Sequence, residues 1–460
     1  EQVAFAPFYR PPEDSPAIQY LNARREALGG CLPRREIRAP RLTAPDSDTF
    51  AEFNEGSDRP VSTTMAFVRI LLKLLRHREI GRLIVPIVPD EARTFGMDGL
   101  FRQVGIYSSQ GQRYEPVDAD NLLYYKEARD GQILEEGITE AGSMSSFVAA
   151  GTAYSNYGIN TIPFFVYYSM FGMQRIGDMV WAAADMRTRG FLVGGTAGRT
   201  TLAGEGLQHQ DGHSHVLALP APNLKCYDPA WAYEMAAIIQ DGIRRMYQEG
   251  EDVFYYITVG NENYPMPPRP KGRGVTEGIL KGMYLFQPAP KKGRFRHRVQ
   301  LLGSGAILNE CLKAQQILAE DYETAADVWS VTSYKELRVD ALAADRWNML
   351  HPGSQPRKPY VTRLLEKAEG PVVAASDYMK ILPDGLARWI PHTLLSLGTD
   401  GFGRSECREA LRDFFEVDAR FITLGALSVL YRDGKVTADR VRDAMRHFRI
   451  PASKPDPWLS

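Results

Sequence analysis

IPFFVYYSMFGMQRIGD, residues 162–178, reads as an apolar strand that runs into aromatics, breaks at Gly172 and opens into a polar segment. A strand ending in aromatic side chains beside a polar, glycine-rich loop is how many α/β proteins frame a site. Working outward, LIVPIVPD (83–90) reads as a buried strand that delivers Asp90 and Glu91 at its carboxyl end. Further strands are predicted over 191–194 and 253–259, alternating with helical patterns near 145–154 and 230–247. That alternation predicts a mostly parallel sheet with helices on both faces. Before it, Phe67, Ile70, Leu71, Leu74 and Leu75 make a single apolar stripe at helical spacing, with Ser62 and Thr63 available as caps.

Residues 1–60 are rich in Pro, Arg and acidic side chains with little periodicity, which suggests a connector wrapping a neighbouring surface. YPMPPRPKGRG (264–274) carries four prolines, so it is expected to continue neither helix nor strand and to mark a domain boundary. A second α/β unit follows, with strands expected over 299–304, 327–333 and 371–377. Ile307, Cys311, Ala314 and Leu318 form a helical stripe between the first two. The polar stretch 110–131 reads as a solvated surface loop, with a lid over the site as the alternative.

The chain has 460 residues, 44% hydrophobic and 24% charged, an ordinary balance for a globular protein of two or three domains. Its 55 Lys and Arg against 56 Asp and Glu provide no general field for nucleic acid or an anionic membrane, and neither partner is expected. Four cysteines are too scattered for a zinc motif and too few for a disulfide framework, which suits a reducing compartment. The first residues lack the basic start and apolar core of a signal peptide, and no apolar run reaches membrane-helix length. A cytoplasmic location is the expectation.

GEGLQHQDGHSH (204–215) puts three histidines and two carboxylates among three glycines, and is expected to form a polar pocket wall rather than a core element. His209, His213 and His215 have the spacing H-x3-H-x-H, which zinc accepts in principle. The flanking glycines argue against a regular helix and no cysteine cluster supports it, so no metal site is assigned and His213 and His215 are read as organising the loop. GSGAIL at Gly303 lacks the third glycine of a dinucleotide fingerprint, and GGTAGRTT at Gly194 lacks the spacing and lysine of a phosphate loop. Neither is taken as a nucleotide site. Taken alone, Glu140 is a helix-start charge, Tyr168 and Phe171 are core aromatics, Arg175 pairs with Asp178, and Asp90 with Glu91 caps the next segment.

With DEARTFGMDGLFRQVGIY (90–107), EEGITEAG (135–142) and FLVGGTAGRTTLAGEG (191–206), these stretches closely resemble the homodimeric, bacterial-type E1 component of the pyruvate dehydrogenase complex, a thiamine-diphosphate family. The resemblance runs from QYLNARREALGGCLPRR (19–35) to LGTDGFGRSECREALRDFFEVDA (397–419) and covers that family's second half. It implies two doubly wound α/β domains of transketolase type: a pyrimidine-binding domain over 61–270 and a C-terminal domain over 271–460, after an irregular N-terminal connector, 1–60. It also carries roles over. Glu140 would share a proton with the aminopyrimidine, and Tyr168, Phe171, Ile138, Asp90 and Glu91 would lie at the cofactor. His209 would face the substrate, with Tyr168, Arg175 and Glu205 beside it. The Gly194 run is expected near the active site and the Gly303 run to be structural.

The Gly-Asp-Gly run that marks the diphosphate-binding domain of such enzymes does not occur in this chain. The diphosphate and Mg2+ are therefore expected to be held by a separate domain or subunit, in a two-fold assembly, with little activity in its absence. The implied reaction decarboxylates pyruvate and passes the two-carbon unit to a lipoyl group on a partner E2. Two alternatives stay open: transfer from another keto donor to a carrier-protein thiol, and a noncatalytic structural subunit.

Overall fold

The structure is a computed structural model and describes residues 11–27, 29, 30, 37–90, 92–115, 125–272 and 274–460. Two compact units divide it: the described residues up to Pro40 with Ala153–Asn160, and Arg41–Thr152 with Thr161–Ser460. In the first, Pro16–Ala27 forms a helix with no buried residue. That helix departs from the connector expected over 1–60, because good helix formers such as Ala, Leu, Gln and Arg act locally and need no apolar face. The backbone amides of Arg38 and Ala39 both donate to Tyr154 O at 3.1 Å, and Asn160 Nδ2 donates to Pro40 O at 2.6 Å.

The second unit is built on two sheets. The first has strands β1 (Ile84–Val88), β2 (Leu134–Glu135), β3 (Ile162–Tyr168), β4 (Phe191–Gly195), β5 (Leu224–Tyr227) and β6 (Phe254–Thr258), in the order β2-β1-β3-β4-β6-β5. Every pairing is parallel. Central parallel strands are covered on both faces, which is why β3, β4 and β6 read as continuous apolar runs. The helix Thr63–Leu75 buries Phe67, Ile70, Leu71, Leu74 and Leu75, and the Ser62 side chain caps it by accepting from Met65 N at 3.2 Å.

The second sheet holds β7 (Met283–Gln287), β8 (His297–Gly303), β9 (Thr324–Val331), β10 (Val372–Ala375) and β11 (Leu394–Leu397), in the order β7-β9-β8-β10-β11. Only β7 runs antiparallel, against β9. Helix Leu308–Asp321 covers it, with Cys311, Ala314 and Leu318 buried as their spacing predicts. The fold is thus α/β, with two mainly parallel layered sheets.

Three local expectations change. The chain does not break at Gly172: β3 ends at Tyr168 and helix Ser169–Asp185 begins at once. Gly172 lies inside that helix because a Cβ there would sit 2.1 Å from the Tyr167 ring; the irregular residue is Ile176, at φ −124°. The proline-rich segment is not wholly irregular either. Tyr264–Met266 forms a short strand antiparallel to Ser57–Val61, a two-stranded ribbon in which prolines are tolerated at free edges. Within 110–131, residues 116–124 lie outside the described residues, and Glu127–Ala128 pairs in parallel with Ile106–Tyr107. Among the described residues no helix is long and apolar enough to cross a membrane.

Candidate active site

The carboxyl ends of β1, β3, β4 and β6 point to one edge of the first sheet, where open α/β sheets place their ligands. Glu140 opens helix Glu140–Asn156, and its side chain is only 11% exposed. Arg175 Nη1 lies 3.2 Å from each Glu140 oxygen, and the guanidinium carbon stands 4.0 Å from the centroid of Phe171. Arg175 therefore pairs with Glu140 and not with Asp178, whose carboxylate accepts from Met179 N at 2.9 Å. Phe171 and Arg175 are four residues apart, so one helical face carries both.

The aromatics make a continuous wall. Tyr168 meets Phe171 edge-on at 6.0 Å between ring centroids and Phe95 at 5.1 Å. His209 packs against both, at 5.1 Å from Tyr168 and 5.2 Å from Phe171. Its Nδ1 is buried without a hydrogen-bond partner and lies 3.5 Å from Glu205 Oε2, within electrostatic reach only. Glu140, Arg175, Phe171, Tyr168, His209 and Glu205 thus form one chain of contacts.

Three further residues were expected at the site. Asp90 is exposed just past β1; it raises the Glu135 carboxyl by like-charge repulsion, second to burial. Ile138 is 76% exposed, two residues before Glu140. Glu91 lies outside the described residues.

The loop after β4 corrects one expectation. In its first half Gly204, Glu205, Leu207 and Gln208 are exposed, whereas Gln210, Asp211, Ser214 and His215 are buried. Asp211 accepts from the backbone of His213 and Ser214, each at 2.9 Å, and from the Ser214 hydroxyl, closing the turn. The three histidines diverge. His213 Nε2 is 2.7 Å from Gln174 Oε1 and Nδ1 is 3.3 Å from Arg199 Nη2, whereas His215 Nε2 is 2.9 Å from Thr258 Oγ1. Among the described residues no group of three or more His, Cys, Asp or Glu is arranged to hold a metal.

Sequence reasoning missed Asp377. Its carboxylate, 3% exposed just past β10, is gripped by the glycine run after β4. Oδ1 accepts from Thr200 N and Oγ1, both at 2.8 Å, and Oδ2 from Thr201 N and Oγ1 at 2.8 and 2.6 Å. The run that looked like a failed phosphate loop is an anion cradle, filled by the chain's own carboxylate. Gly198, at φ +91°, is required there, since a Cβ would fall 2.2 Å from Asp377 Oδ2. The glycine pattern was a visible signal; an acid some 180 positions away was not.

A family model described as the pyruvate dehydrogenase E1 component middle domain matches residues 41–267, and one for the transketolase-like C-terminal domain matches 282–418. The chain belongs to the pyruvate dehydrogenase E1 component family. It is 54% identical over 453 residues to the E1 component of Pseudomonas aeruginosa, covering 98% of this chain and 51% of that protein. Identity to the Escherichia coli K12 component is 50% over 458 residues, with 99% and 51% covered. This E1-family chain spans about half the length of the curated relatives it matches. Its fold is also that of transketolases: the Campylobacter jejuni enzyme superimposes with a TM-score of 0.60 at 16% identity, covering 84% of this chain and 49% of that one. A split-gene transketolase, solved as an inactive β4 tetramer, gives 0.53 at 17% identity, covering 81% and 98%.

Proposed function

We propose that this chain provides the pyrimidine-binding domain (61–270), the C-terminal domain (271–460) and the connector (1–60) of a thiamine-diphosphate-dependent E1 enzyme. In this reading the enzyme is cytoplasmic and two-fold, decarboxylates pyruvate, and passes the two-carbon unit to a lipoyl group on a partner E2. The diphosphate and Mg2+ are held by a separate domain or subunit. The observation that carries the reading is the nearly buried Glu140 carboxylate at the edge of an aromatic wall.

The side chains fit a flat, proton-sharing heterocycle. Tyr168 and Phe171 offer ring surface, and the buried, unpartnered Nδ1 of His209 is a polar atom in want of a hydrogen bond. When bound, the coenzyme supplies the electron sink that carbon–carbon cleavage requires. Glu140 holds the proton shared with a pyrimidine ring nitrogen, as a carboxylate within hydrogen-bond reach can. Arg175 pairs with that carboxylate until a ligand arrives. Its own side chain is 53% exposed, so the ion pair is weak and yields readily to a ligand. His209 donates to a substrate oxygen, with Glu205 beside it and Tyr168 closing the pocket; Asp90, Glu91 and Ile138 border the cofactor.

Calorimetric titration with thiamine diphosphate and magnesium, with and without the diphosphate-binding half, tests this. Binding only in the assembly, followed by pyruvate-dependent acetylation of a lipoyl domain, is the expected result. Absence of binding in the assembly removes the proposal.

A further inference from the structure

His213 is the one loop histidine that bridges two side chains of opposite hydrogen-bonding character. Arg199, 5% exposed, brings Nη2 to 3.3 Å from His213 Nδ1. A guanidinium only donates, so Nδ1 must present its lone pair and the imidazole proton must sit on Nε2. Nε2–H then donates to Gln174 Oε1 at 2.7 Å. This fixes the amide as well. The opposite orientation would set two donors face to face, so the Gln174 NH2 group is turned away from His213 with both hydrogens free to donate.

The chain of bonds has a direction. It begins at a buried cation, passes through a neutral imidazole and ends at an exposed amide three residues from Phe171 and next to Arg175. Bonds arranged head to tail in this way polarise one another. Burial holds the His213 pKa below its ordinary value; Asp211 opposes this and Arg199 adds to it, so the relay keeps its neutral middle member near pH 7.

We propose that Gln174 is a specificity-determining residue whose amide donates to the carboxylate of the 2-oxo acid substrate, with His213 and Arg199 as positioning residues that aim and polarise it. The inference rests on the E1-type reading above and names the contact that distinguishes a keto acid from a neutral ketone or aldehyde. Arg175 provides charge beside it; Gln174 provides a directed donor.

The test uses the full chain assembled with its diphosphate-binding half. Nitrogen-15 NMR of labelled histidine is expected to show His213 as the neutral Nε2–H tautomer at pH 7, and the Gln174 side-chain amide resonance is expected to move saturably with pyruvate. Q174A is expected to raise KM for pyruvate by about tenfold or more, with a smaller effect on kcat, the size set by a hydrogen bond to a charged group. Q174E, of the same shape but without the donor, is expected to be worse than Q174A. A proton on His213 Nδ1, an amide resonance unmoved at saturating pyruvate, or an active assembly whose KM ignores Q174A overturns this inference alone. A wild-type assembly that neither binds nor turns over pyruvate overturns the E1-type reading with it.

Discussion

Glu140 and Asp377 are both nearly buried carboxylates, and their surroundings give them opposite work. Asp377 has four short hydrogen bonds from its cradle; Glu140 has one half-exposed guanidinium that a ligand can displace. In the reconstituted enzyme Glu140→Gln is expected to lower kcat by roughly 10²- to 10⁴-fold, the usual worth of a general acid–base group. Its thermal midpoint should stay near that of the parent, and unchanged turnover would count against the proton-sharing role. Asp377→Asn is expected to do the reverse. Placing an NH2 group against a cradle of donors should cost about 3 kcal/mol in urea unfolding. An unaltered urea midpoint would show that the cradle is incidental. How legible these residues were differs for the same reason. The Glu140 position stands in a stretch that resembles a known family, whereas the Asp377 partner is set by the approach of two distant strand ends.

At the scale of elements, the loop after β4 and strand β6 are joined by a buried polar bridge. Thr258 Oγ1, near the end of β6, is 2.9 Å from His215 Nε2 and donates to Asp228 Oδ1 at 2.7 Å. Burial pushes the His215 pKa down to about 4 and the Asp228 carboxyl up to about 7. Asp228 also lines a cavity of about 20 Å³, room for about one water molecule. The signs follow from which state binds more protons. Below about pH 6.5 the unfolded chain protonates His215 while the folded chain resists until about 4, so this group makes stability rise with pH across that window. Asp228 keeps its proton in the fold up to about 7 but loses it near 3.8 when unfolded, so its contribution falls as pH rises from about 3.8 to 7. The two slopes oppose each other in the parent. Urea midpoints measured against pH should therefore rise from pH 4 to 6.5 in Asp228→Asn and fall from pH 4 to 7 in His215→Gln. Parallel profiles for the two variants would exclude the bridge as their common origin. The strands themselves were visible as apolar runs, and the helix at Thr63–Leu75 as a stripe with its cap. The helix start after β3 was misplaced because a glycine was read as a breaker, when its missing side chain makes room for Tyr167.

For the molecule as a whole, the two sheets of the larger unit are tied together by buried and partly buried polar contacts as well as apolar packing. Arg199 Nη1 donates to Thr399 O, Arg412 joins Glu262 to Glu310, and Lys225 pairs with Glu336 at 2.7 Å. Glu234, fully buried with its pKa raised by burial, accepts from Ser330 Oγ at 2.6 Å and from Tyr284 Oη at 2.7 Å. Breaking a buried pair by exposing one partner strands the other, at a cost of about 3–5 kcal/mol. Residues 41–460 are thus expected to melt in one transition despite carrying two sheets, with far-ultraviolet and tryptophan signals coinciding. Two separated transitions would mean that these ties are weak.

The sequence by itself determined the alternation of strands and helices, the two mainly parallel sheets and the family. Apolar periodicity and local propensity are written into short windows of residues, and so are the stretches that carry the family resemblance. It also named Glu140, Tyr168, Phe171, Arg175, His209 and Glu205, which the fold brings into one run of contacts. Only the tertiary structure decided that Arg175 faces Glu140, that the three histidines point to three different partners, and that the glycine cradle closes on Asp377. Those outcomes depend on which side chains meet across the ends of strands far apart in the chain. Burial then makes the closing of the cradle on Asp377 worth several times what it would be in water, while the half-exposed Arg175 leaves its pair with Glu140 weak.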